Sequence, residues 1–350
     1  MTSGSPPAAR LLAALVVLAL LLGGCGGGAP SASPSIVASS PPAAAPATAS
    51  PSPTPSTAPT VAPTPATAAG PTEIPNTTLS GDFAFLGPIR TVPVGALSMA
   101  YRQFGSGPEL LMIAGQAGPM SIWPASTLAA LADHFHVTIY DNRDLGNTTD
   151  TSGPFALTDL ADDAAGLITA LELDRPAVFG WSMGGEIGLL LAVRHPNALS
   201  SLAITGATPG GPNSVLPSPD LQECQASETP QCDLLAMLFS ATPAGTEATA
   251  RFIENFRMVP QEPLVPGTAT KYDRAERAFW SGDEPDLDAI SVPVLVMNGE
   301  ADPAAPSANA TYIAERIGDN ARLEIDPGTR HGWFIEHPDR FLELMTDFLG

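Results

Sequence analysis

The chain has 350 residues, with 36 Asp+Glu against 15 Lys+Arg and a net charge of −21. Such an acidic balance argues against nucleic acid as a partner and against electrostatic docking on anionic lipid. It has only three cysteines, and neither a Cys/His cluster with zinc spacing nor a glycine-rich phosphate loop with a lysine, so no metal or cofactor is expected.

Arg10 precedes the apolar run Leu11 to Leu22, followed by Gly23-Gly24-Cys25. A membrane-spanning helix needs about 20 apolar residues, so this run fits a secretory signal instead. Leu22-Gly23-Gly24-Cys25 resembles a bacterial lipobox, which implies cleavage before Cys25, lipid on its thiol and new amino group, and residence on the extracytoplasmic face of the cell membrane. Residues 26 to about 75 are Ala, Pro, Ser and Thr with almost no charge. They cannot bury enough apolar surface to offset chain entropy and are expected to form a disordered tether. About 275 residues remain, enough for one sizeable α/β domain with an insertion.

Ser98 to Gln103 alternates as a strand. Leu110 to Ala114 is a continuous apolar run, as suits a strand buried on both faces. Helical spacing follows from Ile122 to His134, then a strand over His136 to Tyr140. Thr158 is placed to cap a helix over Asp159 to Leu171. Pro176 to Gly180 reads as a strand, Met183 to Arg194 as a helix stopped by Pro196, and Leu199 to Thr205 as a strand. Strands alternating with helices of about a dozen residues predict a mostly parallel, doubly wound α/β sheet.

That alternation breaks over residues 208–285, which contain proline-rich turns and helical patches at Leu234 to Phe239, Ala248 to Phe256 and Arg274 to Trp280. This stretch is expected to be a helical cap, inserted in a core formed by 79–207 and 286–350. Its Met237, Phe239, Phe252, Phe256, Met258, Phe279 and Trp280 either line a pocket or pack the cap on the sheet. Packing is the commoner role for any one of them. Cys224 and Cys232 also fall here and are candidates for a disulfide outside the cytoplasm. The core resumes with a strand at Val292 to Met297, a helix near Ser307 to Ile317, a strand at Arg322 to Ile325 and an amphipathic helix at Pro338 to Leu349.

Chemistry concentrates where Ala177-Val178-Phe179-Gly180-Trp181 meets Ser182-Met183-Gly184-Gly185. A Gly-x-Ser-x-Gly turn between strand and helix holds its serine in a strained conformation with the hydroxyl exposed. Serine is a poor nucleophile unless a base takes its proton and an acid orients that base. Ser182, Asp302 and His331 all lie at the carboxyl ends of predicted strands, where open α/β sheets bind ligands. Asp326 is a weaker substitute for Asp302, which could instead cap a helix. The Met183 and Gln116 backbone N–H groups are the candidate oxyanion donors.

From about Leu97 to Gly350 the chain resembles the α/β-hydrolase fold superfamily, in the capped group of methylesterases, non-haem haloperoxidase-like and proline iminopeptidase-like enzymes. The resemblance rests on Gly180-Trp181-Ser182-Met183-Gly184-Gly185, Asp141-Asn142-Arg143-Asp144-Leu145-Gly146, Gly299-Glu300-Ala301-Asp302-Pro303 and His331-Gly332. One departure is Ala114-Gly115, where the family usually has His-Gly. The resemblance implies a serine hydrolase acting through an acyl-enzyme on a small-molecule ester or amide. A serine nucleophile excludes the dehalogenase and epoxide-hydrolase chemistry of this fold, since serine alkylated that way would give a stable ether. An ester of a small or medium apolar substrate is the leading expectation. An iminopeptidase-like amidase would need an acidic pocket, which Glu254, Asp283 or Glu284 could supply, and a non-catalytic binding protein would keep the fold alone.

Overall fold

The structure, a computed structural model, describes residues 70–350 apart from 150, 152, 227–232 and 260–263. One sheet of nine strands has the order β1-β2-β3-β5-β4-β6-β7-β8-β9. At one edge β1 (Thr72–Glu73), β2 (Arg90–Val94) and β3 (Leu97–Gly105) pair antiparallel, and β3 runs antiparallel to β5 (His136–Tyr140). β5 then pairs with β4 (Glu109–Ile113), and β6 (Ala177–Trp181), β7 (Ser201–Thr205), β8 (Val294–Gly299) and β9 (Ala321–Asp326) follow, all parallel. The sheet is therefore mostly parallel, as the strand–helix alternation predicts.

Alternate residues of the central strands face opposite ways, which explains their unbroken apolar sequences. Leu111, Ile113, Val178, Leu202, Ile204, Val294 and Val296 join one core with α2 (Leu157–Ala170), α3 (Met183–Arg194) and α8 (Ala308–Ile317). Leu110, Met112, Phe179, Trp181, Leu295 and Met297 join the other with α1 (Ala125–Ala132), α9 (Trp333–Glu336) and α10 (Pro338–Leu349).

Three local differences from the sequence reading have physical causes. The helix expected from Ile122 is split by Pro124: a single 3-10 turn spans Met120–Ile122, and α1 begins only at Ala125. Thr158 does not cap α2; it lies inside the helix. The amide at the N-cap, Ala156, is instead satisfied by the Asp159 carboxylate at 2.8 Å. The sheet also extends to Thr72, into the end of the stretch read as tether, through β1 and β2.

Between β7 and β8 the described residues form α4 (Pro219–Ala226), α5 (Leu234–Leu238), α6 (Pro243–Met258) and α7 (Thr268–Ser281). These helices meet the loops at the carboxyl ends of the strands. The Asn255 side chain on α6 accepts from Ala125 N at 3.0 Å, and Lys271 Nζ on α7 donates to Asp144 after β5 at 2.7 Å. Gly332 N, beyond β9, donates to Leu238 O on α5 at 2.7 Å. Cys224 on α4 is disulfide-bonded, while Cys25 and Cys232 lie outside the described residues. Among the described residues no helix is long and apolar enough to cross a membrane.

Candidate active site

Strand β6 ends at Trp181, and the chain turns at Ser182 with φ 59° and ψ −130° before α3 begins at Met183. A positive φ is costly for a residue with a Cβ and persists only when the surroundings enforce it. Here they do. Ser182 N donates to Thr205 O on β7 at 2.8 Å, and Gly185 N caps back on Ser182 O at 2.8 Å. Gly184 has no room for a side chain, because a Cβ there would run into the Ile113 and Ala114 carbonyls of the neighbouring strand end. The turn thus abuts the loop after β4, where a Cβ on Gly115 would stand 3.0 Å from Ser182 Cβ.

That contact brings Gln116 beside the serine. Ala117 takes a φ of 48° and Gly118 N closes the turn on Gly115 O at 3.1 Å. Met183 is the first residue of α3, where the helix leaves its leading N–H groups without internal acceptors. Of the two predicted oxyanion donors, Met183 follows Ser182 directly and Gln116 follows the glycine that touches it.

Asp302 and His331 meet directly. Asp302 Oδ2 lies 2.8 Å from His331 Nδ1, and both residues are buried, at 5% and 3% exposure. The other carboxylate oxygen of Asp302 accepts from Ala304 N at 2.8 Å and Ala305 N at 2.9 Å. Asp302 thus does fasten a turn, as its Asp-Pro context allows, but with the oxygen that His331 does not use; α8 starts later, after Ser307. The substitute acid is spoken for elsewhere: Asp326 Oδ2 is 2.6 Å from His337 Nδ1. Other histidines hold surface contacts, His136 with Glu109 and His195 with Asp162.

The imidazole of His331 sits against the turn that follows β7. Gly206 has φ 65°, and a Cβ there would approach His331 Cε1 to 2.7 Å. Since the preceding residue, Thr205, accepts from Ser182 N, serine and histidine are neighbours across the Thr205–Gly206 turn. Among the described residues Ser182 Oγ and His331 share no hydrogen bond; catalytic contacts of this kind commonly tighten only around substrate. Trp181 steadies the histidine loop, donating its indole N–H to His331 O at 3.1 Å with the rings 5.8 Å apart.

The Asp141-to-Gly146 motif acts as a brace. Asp141 accepts from Met120 N at 2.7 Å and Asn147 N at 3.1 Å, fixing the segment beyond Gln116. Arg143 is bidentate to Asp163, and its carbonyl accepts from the Tyr272 hydroxyl of α7 at 2.7 Å.

The aromatic residues of the inserted helices mostly pack. Phe239, Phe252 and Phe256 pack edge-to-face in series with ring centroids 5.6 and 5.0 Å apart, whereas Met258 is 56% exposed. The acidic residues proposed for an amine pocket are engaged or open to water: Glu284 is held by Arg316, Tyr312 and Asn213, Glu254 pairs with Arg257 on the surface, and Asp283 is exposed. The sequence reading missed Glu186, a buried carboxylate of α3 that accepts from Thr208 and Trp280. Its one signal was a lone charge among the apolar residues from Met183 to Val193. Among the described residues no cluster could hold a metal ion.

Residues 108–338 match the profile of a family described as the alpha/beta hydrolase fold. Rhodomycin D methylesterase DauP of a Streptomyces species is 30% identical over 250 residues, covering 62% of this chain and 83% of that protein. The 3-oxoadipate enol-lactonase 2 of Acinetobacter baylyi is 26% identical over 257 residues, covering 72% of this chain and 92% of that protein. The solved enol-lactonase of Burkholderia xenovorans LB400 superposes with a TM-score of 0.61 at 24% identity, over 74% of this chain and 99% of that one.

Proposed function

This chain belongs to the α/β-hydrolase fold family and is a hydrolase, and on that premise we propose that it cleaves carboxylic esters of small or medium apolar substrates through an acyl-enzyme. Ser182 Oγ attacks the acyl carbon while His331 takes its proton. The tetrahedral intermediate places its oxyanion between the Met183 and Gln116 N–H groups. As the acyl–oxygen bond breaks, His331 returns the proton to the departing alcohol. Water then repeats the sequence, with His331 as base, and frees the acid. Asp302 holds the imidazole with Nδ1–H towards itself, leaving Nε2 to work on the serine.

The observation that carries this reading is the 2.8 Å Asp302–His331 contact, with the ring packed on Gly206 beside the strained Ser182. Similar proteins are named as a methylesterase and an enol-lactonase, which supports an ester, and also as a carbamate hydrolase, so the preference over an amide rests on the residues of this chain. The acidic residues suited to an amine-directed amidase are engaged or exposed, as described above. The test is labelling with a fluorophosphonate together with hydrolysis of short p-nitrophenyl esters. Wild type should label and turn over, and Ser182→Ala should do neither. An unlabelled wild type would favour a binding protein that keeps only the fold.

The proposal includes an anchor at Cys25, supported by the Leu22-Gly23-Gly24-Cys25 sequence. Two or more acyl chains hold a protein stably on a membrane, whereas one does so marginally. Cys25→Ser should therefore abolish labelling by an alkyne-tagged palmitate fed to cells and release the protein from the membrane fraction.

A further inference from the structure

Two tryptophans flank the proposed nucleophile and base. Trp181 immediately precedes Ser182, and Trp333 follows His331 by two positions. Both are buried, at 3% and 1% exposure. Phenylalanine would fill much of the same apolar space; an indole adds one N–H, which usually finds an acceptor when buried. Each of these two N–H groups is spent on the opposite loop. Trp181 Nε1 donates to His331 O at 3.1 Å. Trp333 Nε1 donates to Thr205 Oγ1 at 2.6 Å. Thr205, fully buried at the end of β7, in turn accepts the Ser182 N–H on its carbonyl at 2.8 Å. Burial among aromatic rings does not by itself produce such bonds. Trp123, whose ring lies 5.9 Å from that of Trp181, has a buried Nε1 without a hydrogen-bond partner.

The bonds close a circuit from Ser182 through Thr205, Trp333 and His331 to Trp181 and back along the chain to Ser182. The imidazole is packed against its members, 5.8 Å from the Trp181 ring and against Gly206, the residue after Thr205. Asp302 orients the imidazole but does not supply this link. Its second oxygen is bonded within its own loop, to Ala304 and Ala305, and Ala301 N donates to Thr329 O of the histidine loop at 2.9 Å. Acid and base are thereby tied to each other, and the two indole bonds tie that pair to the serine turn by separate routes. Hydrogen bonds in such dry, apolar surroundings are stronger than in water.

We propose that Trp181, Trp333 and Thr205 are positioning residues that set the spacing between Ser182 and His331, as two braces acting in parallel. Thr205 is the joint: its backbone holds the serine and its hydroxyl holds the histidine loop. The inference rests on the serine-hydrolase reading for the meaning of that spacing, whereas the braces are a property of the fold. Parallel braces have a signature. Cutting one leaves the other to hold the loop, and cutting both lets it shift.

The experiment measures ester hydrolysis by the full chain. Trp181→Phe and Trp333→Phe should each lower kcat by about threefold with KM little changed, and the double variant should lose about 10² or more, well beyond the product of the two. Thr205→Val removes the acceptor at nearly constant volume. It should match Trp333→Phe and add nothing to it, because both cut the same bond. Thr205→Ser keeps the hydroxyl and should restore wild-type kcat, and Trp123→Phe, which removes an N–H without a partner, should leave kcat unchanged. The second readout is the low-field proton resonance of His331 Nδ1–H, identified by its loss in His331→Gln. It should stay sharp in the single variants and shift or broaden in the double one. Losses that simply multiply, or variants that melt earlier with kcat and this resonance unchanged, would overturn the braces. The resonance reads them without turnover, so a wild type inactive on esters would sink the hydrolase reading and leave the braces to be judged on the resonance alone.

Discussion

Strands β4, β6, β7 and β8 are buried on both faces, whereas helices α5 to α7 join the cores by one face, through residues such as Tyr272, Leu238 and Phe252, and add polar ties to the loops at the strand ends. A strand buried on both faces gains stability from apolar area, which is non-directional and spread over many side chains. The cap adds to its apolar contacts single bonds with defined donors: Lys271 to Asp144, Tyr272 to the Arg143 carbonyl, Ala125 to Asn255 and Trp280 to Glu186. The first arrangement fixes the backbone positions of Ser182, Asp302 and His331 rigidly. The second adds ties that the loss of one charge removes. On the proposed function, geometry for the reaction and contact with the substrate reside in separate parts of one chain.

The largest expected effects fall on the rigid part. Asp302→Asn should leave the fold intact, since the amide oxygen can still accept from Ala304 and Ala305, yet lower kcat by about 10⁴ by allowing the wrong imidazole tautomer. Asp326→Asn, whose partners are His337 and Arg340, should change kcat less than about threefold, its cost falling on stability because the carboxylate is buried and paired. Steady-state kinetics on one p-nitrophenyl ester with both variants checks the assignment. Equal losses would mean that the acid is not where the 2.8 Å contact puts it. Next in size is Gly206→Ala. It would force a Cβ onto His331 at a backbone φ of 65°, and a displaced imidazole should cost about 10² in kcat.

The sequence made the rigid part legible for the same reason that it is rigid. Continuous apolar runs mark β4, β6 and β8, and turn residues follow each one, so the reactive ends of the strands could be located. β2 escaped notice because only Val92 and Val94 of Arg90–Val94 are buried. Its Pro93 pairs with Ser98 beyond the reach of β1, so the missing N–H faces an open edge. The choice between Asp302 and Asp326 could not be read from spacing, because it depends on which histidine each loop presents. Glu186 left only the signal of a lone charge among apolar residues, because its donors Thr208 and Trp280 come from a distant loop and helix.

Effects on the cap should be smaller and should depend on pH. Lys271 is partly exposed, but the Asp144 side chain it serves is fully buried. Burial resists ionisation of Asp144, yet the Lys271 ammonium and the Thr151 bonds outweigh it and hold the carboxyl below its usual range. A depressed carboxyl contributes stability above its unfolded pKa, and that contribution is lost as pH falls through the folded value. Lys271→Met should therefore cost about 2 kcal/mol at pH 7 by leaving a buried carboxylate poorly paired. The difference from wild type should shrink as the pH is lowered towards 3, as read by thermal melts. This sign is opposite to that of Glu186, which burial raises to about 7, so what its protonation contributes is lost as pH rises through that value. A penalty for Lys271→Met that stays constant with pH would remove Asp144 from that account.

The smallest expected effect is at the cap's outer face. Glu254 is mostly exposed and meets Arg257 only at 3.4 Å, three residues on along α6. Exposed pairs of this spacing are worth about 0.2–0.5 kcal/mol. Glu254→Gln should therefore leave both the melting temperature and ester kcat/KM within error of wild type. Asp283→Asn, at an exposed position beyond the end of α7, should do the same. The two variants still discriminate, because an amine-directed peptidase would use such acids to hold the substrate's ammonium group. Rapid cleavage of a proline anilide by wild type, lost in either variant with ester turnover retained, would transfer the assignment from esters to amides. It would also mean that substrate recognition reaches the solvated rim of the cap. Unchanged kinetics in both would keep these two acids out of substrate recognition and leave the ester assignment standing.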